Sequence, residues 1–426
     1  MGEELFSPEE AMPLGEREQY YNEKVRQVVQ FAYDNAPAVK AKMDKAGVKP
    51  PQIKTTKDLE LLPVITRDEI IELEKANPPF GGLLAVPANS LYRFIYSPGP
   101  LYVPLGSTEY ARSAQKILHA VGLRRGDPVI LSMPNLYMAG ASVEDAMLLD
   151  GMVCIPSGTG NTELQVTMMH DLDIKGFIGT PTFLMNLVRK AEDMGYDFKR
   201  DFKLNCALVW GEPLLPEVRN TLEQDYGIRL TDGVGVGVGL DLGFDCGQRN
   251  GIHITEEQFV EIVEPGTWKQ LPPGEVGALL VTGFSNNAFP MIRYMTGDLS
   301  SLITEPCPCG RTSPRFTGIM GRVGDSVKVR ALYITPRQVQ AAASKLPAMS
   351  RFQVVVSRAG YKDQLTFNLE LADETIDRDK FFQELQSSFQ DSCRVRIDKI
   401  NVVPSGTIPE EHKIIVDDRS WQVKSA

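Results

Sequence analysis

No run of about 18 apolar residues occurs anywhere in the chain, so no helix of it is expected to span a membrane. An excess of positive charge is missing too. Lys and Arg number 45 against 55 Asp and Glu, which leaves a net charge of −10 and a sequence pI near 5.2. Non-specific DNA or RNA binding rests on phosphate neutralisation by basic side chains, so this balance argues against it, whereas a local basic site for a phosphorylated cofactor stays open. Cysteine is scarce. Six in 426 residues (Cys154, Cys206, Cys246, Cys307, Cys309, Cys393) make no disulfide framework, and the expected setting is a reducing, cytoplasmic one. Met1–Tyr21 is acidic and has no apolar stretch, so no secretory signal is expected. Low-complexity segments and long-period repeats are also lacking.

What remains is a globular composition. Hydrophobic residues make up 42% and charged residues 23%, which excludes a disordered chain and a fibrous repeat. The length allows two or three domains.

Along the chain, Tyr20, Val25, Val28, Val29, Phe31 and Ala32 recur at helical spacing, and Asp34-Asn-Ala-Pro37 interrupts a pattern that resumes to Gly47. Between 110 and 230 helical and strand signals alternate. Short apolar strands are expected at Pro128–Met133, Met152–Ile155, Gly176–Gly179, Leu204–Trp210 and Ile228–Leu230. Helices are expected at Ala111–Val121, Ala139–Leu149, Thr162–His170, Thr182–Met194 and Leu215–Tyr226. Such alternation predicts parallel βαβ units in an α/β sheet. From 252 to 304 the pattern turns to strands and turns, as in an antiparallel layer. After Gly324-Asp325 the order is strand (326–334), helix (337–345), strand (351–357), strand (364–371), helix (375–390) and strand (394–403). That is the β-α-β-β-α-β order of a small ferredoxin-like α+β unit. The expected division is 1–323 and 324–426.

Cys307-Pro-Cys309-Gly310 places two thiols one residue apart, with a glycine that lets the chain turn. Cys246 and His253 upstream would complete a Cys₃His set of the kind that zinc favours, closed by four protein ligands and therefore structural. The competing reading is three buried free thiols and an ordinary histidine. Cys154, Cys206 and Cys393 lie in apolar contexts and read as core. His119 and His170 are lone residues near helix ends, and no Ser–His–Asp set can be assembled from spacing.

Several stretches together resemble the phenylacetate–CoA ligase family of adenylate-forming acyl-CoA synthetases. They are Leu61-Leu-Pro63 with Arg67-Asp-Glu-Ile70, Phe80–Pro87, Pro156-Ser-Gly158 with Asn161-Thr-Glu163, and Gly179-Thr-Pro-Thr182. Further on come Gly211-Glu-Pro213, Gly251-Ile-His253, Phe289–Asp298, Cys307–Arg311, Gly321-Arg322 and Gly406–Lys413. The resemblance implies a large multi-layer α/β domain for nucleotide and acyl group, 1–323, and a small mobile C-terminal domain, 324–426. It implies AMP-forming activation of an aromatic or small organic acid by ATP with magnesium, followed by transfer to CoA. By position, Asp298 is expected on the ribose hydroxyls, Arg322 on ribose or phosphate, Gly211, Glu212 and Pro213 along the adenine, and Asp325 at the hinge. Lys413 is expected on the reacting carboxylate and α-phosphate, a charge the small domain can withdraw after the first step. The acyl pocket is expected near 134–142, 210–215 and 233–241. A homodimer stays open, since oligomeric state is not readable.

Two stretches depart from the family. Its phosphate loop is rich in Ser, Thr and Gly and ends in Gly-Lys-Pro, whereas Ser97-Pro-Gly-Pro-Leu-Tyr-Val-Pro104 puts Val103 at the lysine position. Pro98 and Pro100 bring no backbone donor. The family's Tyr-Gly-x-Ser/Thr-Glu is here Asp232-Gly233-Val-Gly235-Val236, with neither the stacking ring nor the magnesium-holding carboxylate; by position Asp232 and Gly233 are still expected at the cofactor, where Asp232 could hold a cation or an amine but cannot stack. Three readings follow: a ligase with a remodelled nucleotide loop, an ATP-independent enzyme acting on an acyl-CoA or acyl-adenylate, and a non-catalytic nucleotide- or CoA-binding regulatory subunit.

Overall fold

The computed structural model describes residues 4–97, 101–323, 327–330, 332–334, 336–372 and 375–419. The expected hinge Asp325 and residues 98–100 of the phosphate-loop segment lie outside them. The chain forms two compact units, Met1–Ile319 and Met320–Ala426, each described by itself.

The first unit opens on two helices, α1 (Leu14–Asn35) and α2 (Pro37–Lys45), separated where Pro37 starts a new helix. Val25, Val28, Val29 and Ala32 of α1 bury one stripe against Met43, Val48, Ile53 and Leu59. Next comes α3 (Arg67–Ala76), whose N-cap Thr66 accepts the Glu69 N–H at 3.2 Å. An antiparallel hairpin follows, β1 (Arg93–Ser97) and β2 (Leu101–Leu105).

The βαβ region then runs α4 (Arg112–Val121), β3 (Pro128–Leu131), α5 (Met138–Asp150), β4 (Val153–Ile155), α6 (Thr162–Asp171), β5 (Gly176–Gly179), α7 (Pro181–Asp193), α8 (Phe198–Asp201), β6 (Cys206–Val209), α9 (Pro216–Asn220) and β7 (Arg229–Val236). Thr180 caps α7, accepting from Phe183 N at 3.3 Å, and Pro181 fills its first position. The remaining strands are β8 (Leu240–Asp245), β9 (Ile252–Ile254), β10 (Gln258–Val263), β11 (Gly277–Gly283), β12 (Tyr294–Ser300), β13 (Leu302–Ile303) and β14 (Arg315–Phe316).

One nine-stranded sheet has the order β13-β14-β9-β8-β7-β6-β5-β3-β4. Its half from β7 to β4 is parallel and its half from β7 to β13 antiparallel. The strand order reverses at β3, whose neighbours are β4 and β5, so the crevice at the carboxyl ends of the parallel strands is the ligand-binding end of such a sheet. β10, β11 and β12 form a second, antiparallel sheet. Val260, Leu279 and Tyr294 from it share one apolar core with Leu240, Leu242 and Ile252 of the first.

The second unit comprises β15 (Gly321–Arg322), β16 (Val327–Val329), β17 (Leu332–Ile334), α10 (Pro336–Ala343), β18 (Met349–Ala359), β19 (Lys362–Leu371), α11 (Arg378–Cys393), β20 (Lys399–Val402) and β21 (Ile415–Asp417). It is an α+β unit, as expected, with a difference in strand use. Residues 327–334 make the separate hairpin β16-β17, which turns at Arg330 in the left-handed region (φ +48°). The four-stranded sheet β20-β19-β18-β21 takes its edge strand from Ile415–Asp417.

Candidate active site and metal centre

Gly211, Glu212 and Pro213 follow directly on β6, in the crevice at the carboxyl end of the parallel strands, and Gly211 holds φ +82°. Asp232 and Gly233 lie on the adjacent β7, with Asp232 paired to Val209. The structure therefore brings these five residues together where β6 ends beside the middle of β7. Gly233 is needed there: a Cβ would stand 2.9 Å from Leu208 Cδ1 and 3.2 Å from Trp210 Cε3. Asp232 donates its backbone N–H to Asp245 at 2.6 Å, and Arg219 holds the other carboxylate oxygen at 2.6 Å.

Asp298 is buried on β12, just after Gly297 (φ +82°), and its N–H donates to Thr296 Oγ1 at 3.0 Å. Arg322 and Lys413 belong to the second unit, Arg322 on β15 and Lys413 just before β21. Lys413 is exposed, and its carbonyl accepts from Gln353 Nε2 at 3.0 Å. Beside it, His412 reaches the carbonyls of Pro409 and Phe352 at 2.7 and 2.9 Å and fixes the approach to β21.

The segment that departs from the family is built into the core. Val103, at the lysine position, is fully buried opposite Ile95. Tyr102 N–H donates to Glu74 Oε2 at 3.1 Å, so one backbone donor of the loop is already taken by a carboxylate. Burial pushes that carboxyl up to about 7, against the pull of the Tyr102 N–H and Arg67. Arg67 donates to Ser97 Oγ at 3.0 Å, and the pair lies against the β7–β8 turn, where a Cβ on Gly237 would meet Ser97 Oγ at 2.5 Å. Val236, at the position of the family's metal-binding glutamate, is buried in the same apolar core as Val103.

The four cluster residues do meet. Cys246, His253, Cys307 and Cys309 are all buried, and their ligand atoms lie within 4.8 Å of one another. Cys246 follows β8 and His253 lies on β9, and the two other thiols come from the β13–β14 loop, which pairing of β14 with β9 brings alongside. Cys246 Sγ is 3.6 Å from Cys307 Sγ, too far for a disulfide, and Cys309 Sγ is 3.4 Å from His253 Nε2. A tetrahedral site with bonds of about 2.0–2.3 Å has ligand–ligand edges of about 3.3–3.8 Å, so these spacings fit a zinc ion. Ser313 Oγ faces His253 Nδ1 at 3.3 Å, leaving Nε2 turned toward the thiols. The hydrogen bond between Cys246 and Cys309, and then His253, holds Cys309 far below the usual thiol range, while that bond pushes Cys246 up.

Just beyond the cluster lies a buried ion network. Arg311 Nε donates to Glu10 at 2.7 Å, with its guanidinium over the Phe244 ring. Thr312 bonds Glu10 and Met12 carbonyls, Arg17 reaches Glu256 at 3.0 Å, and Lys116 bridges Glu256 and Glu257 at 2.7 Å each. The Cys307–Cys309 loop and the first helix are thereby held to the same body.

The family model described as "AMP-binding enzyme C-terminal domain" matches residues 331–419. Over 95% of its length the chain is 28% identical to the phenylacetate-coenzyme A ligase of Thermus thermophilus, covering 96% of that protein. It is 29% identical to the same-named ligase of Pseudomonas putida, over 87% of this chain and 85% of that one. Among solved structures, 2-hydroxyisobutyryl-CoA ligase in complex with 2-HIB-AMP and CoA superimposes with a TM-score of 0.88 at 26% identity, over 97% of this chain and 92% of that one. The fold is that of the adenylate-forming CoA ligases. The resemblance to the phenylacetate–CoA ligase family holds at nearly full length.

Sequence reasoning gave no role to Glu74, named Arg67 only within a family stretch, and reached Asp241 only as the end of the expected acyl-pocket segment 233–241. Glu74 falls one turn after Ile70 on the buried stripe of α3, and Asp241 interrupts the apolar strand Leu240–Phe244, so both carried a signal: an acid at a core position.

Proposed function

We propose that this protein is an AMP-forming acid–CoA ligase. An acid carboxylate attacks the α-phosphorus of ATP, pyrophosphate leaves, and the CoA thiol then displaces AMP to give the thioester. The observation that carries this reading is the near-full-length match to named ligases, together with the strand-end setting of Gly211–Pro213 beside Asp232-Gly233. In this reading Asp298 accepts hydrogen bonds from the ribose diol, for which a carboxylate's two acceptor oxygens suit. Gly211, Glu212 and Pro213 line the adenine. Arg322 contacts ribose or phosphate, and Lys413, on a mobile C-terminal domain, neutralises charge on the reacting carboxylate and α-phosphate. ATP brings its magnesium with it, and the loss of a carboxylate at Val236 leaves that ion with fewer protein ligands.

Zinc held by Cys246, His253, Cys307 and Cys309 has a structural role, since four protein groups close its shell. The setting is cytoplasmic, consistent with thiols kept reduced.

One observation favours a second reading, an ATP-independent enzyme that handles a preformed acyl-adenylate or acyl-CoA. Val103 in the core and the Tyr102 N–H spent on Glu74 remove two contacts that outer phosphates would use. AMP release measured with ATP, magnesium, CoA and a panel of aromatic and small aliphatic acids decides between them. Acid-dependent AMP supports the ligase. AMP only from supplied acyl-adenylate supports the second reading.

A further inference from the structure

Several buried acids in this protein are met by cations. Glu256 has Arg17 and Lys116, Glu261 has Arg293, and Asp245 has Arg219. Asp241, like Glu74, has a carboxylate oxygen left over. It is 2% exposed, and its Oδ2 is buried without a hydrogen-bond partner among the described residues. A buried acceptor left unmet is costly, and such groups persist where something else meets them.

Its position says what that is. Asp241 stands on β8, directly across the hairpin from Gly235 on β7. β7 is the last parallel strand, and the hairpin extends from its carboxyl end, the ligand-binding end of this kind of sheet. Room for the carboxylate is made by glycine, because a Cβ on Gly235 would stand 3.2 Å from Asp241 Oδ1. Burial pushes the Asp241 carboxyl up to about 7, against the Ser142 hydroxyl of α5, whose oxygen is 3.0 Å from Met138 O. At the end of β6, Trp210 Nε1 is likewise buried without a partner among the described residues, and its ring lies against Gly233, two residues before Gly235. An unmet acceptor on β8 and an unmet donor just after β6 thus flank β7.

We propose that Asp241 is a specificity residue of the acyl site, accepting a hydrogen bond from a hydroxyl or amino group on the acyl portion of the acid. The protein then selects small organic acids that carry such a donor over otherwise identical acids that lack it. An unsubstituted acid would leave Oδ2 desolvated and unmet, and a site built around a substrate donor discriminates strongly against the analogue lacking it. This inference rests on the ligase reading above.

The test is AMP release with matched acids that differ by one donor: isobutyrate with 2-hydroxyisobutyrate, and phenylacetate with its 4-hydroxy and 4-amino derivatives. The wild type is expected to show kcat/KM roughly 10- to 100-fold higher for the donor-bearing acid in at least one pair. Asp241→Ala should erase that preference by lowering kcat/KM for the donor-bearing acid alone, and Asp241→Asn, which keeps an acceptor, should retain it for the hydroxy acid. Should Asp241→Ala not fold, the wild-type preference and Asp241→Asn decide. A wild type active on these acids but indifferent to the donor overturns the inference and leaves the ligase reading standing, as does an Asp241→Ala that weakens both members of a pair equally. Absence of AMP from every acid overturns the ligase reading itself.

Discussion

Tyr102 gives its backbone N–H to the Glu74 carboxylate at 3.1 Å, in the segment that the family resemblance sets against a phosphate loop. The carboxyl is pushed up to about 7 from 4.5, chiefly by burial. The folded state therefore holds the proton more tightly than the unfolded one. The charged form's cost is absent below pH about 4.5, grows between about 4.5 and 7, and is present in full above. Glu74→Gln keeps the shape and the acceptor without the charge. Its melting temperature should exceed the wild type's at pH 8, with the gain vanishing by pH 4. A gain that does not change with pH would show that Glu74 is not the titrating group.

Zinc analysis of the purified protein should give one ion per chain, and Cys309→Ser should lose it. Because Arg311 sits two residues beyond Cys309 and bonds Glu10, loss of the metal should also loosen the N-terminal helix. Chelation is expected to lower the melting temperature and to speed proteolytic cleavage near Glu10. A metal-free wild type of equal stability would reject the site.

Lys116 is buried with both Glu256 and Glu257 at 2.7 Å. Lys116→Met would take from Glu256 and Glu257 the cation they share. Removing one member of a buried ionic set costs about 3–5 kcal/mol. Urea unfolding should show a loss of this size. A change under about 1 kcal/mol would mean that water reaches the network and screens it.

Lys413→Ala should slow acyl-adenylate formation by about 100-fold or more, the scale of removing one charge-stabilising group from a transition state. Thioester formation from supplied acyl-adenylate should change by only a few fold. Unchanged overall turnover would remove Lys413 from the mechanism.

The parallel strands and the cysteine–histidine cluster were legible because their signals are local or chemically distinctive. Gly176–Gly179 is a short apolar run between helical patterns, and three thiols with one imidazole have few structural reasons to assemble. The hairpin at 327–334 was not legible, because Arg330 takes the left-handed conformation that glycine or asparagine would have announced. Ile415–Asp417 was missed as a strand, since three residues pair with a partner about 60 positions away, Val354–Val356. The glycine alternation at 233–237 gave no dinucleotide fingerprint. Its physical reason appears only in three dimensions, where each of these glycines makes room for a side chain: Trp210 at Gly233, Asp241 at Gly235 and Ser97 at Gly237.

Exchange of labelled pyrophosphate into ATP, with acid present and CoA omitted, reads the first half-reaction alone. The account predicts exchange that depends on the acid and on magnesium and is lost in Asp298→Ala. No exchange with any acid, alongside AMP release from supplied acyl-adenylate and CoA, would contradict it.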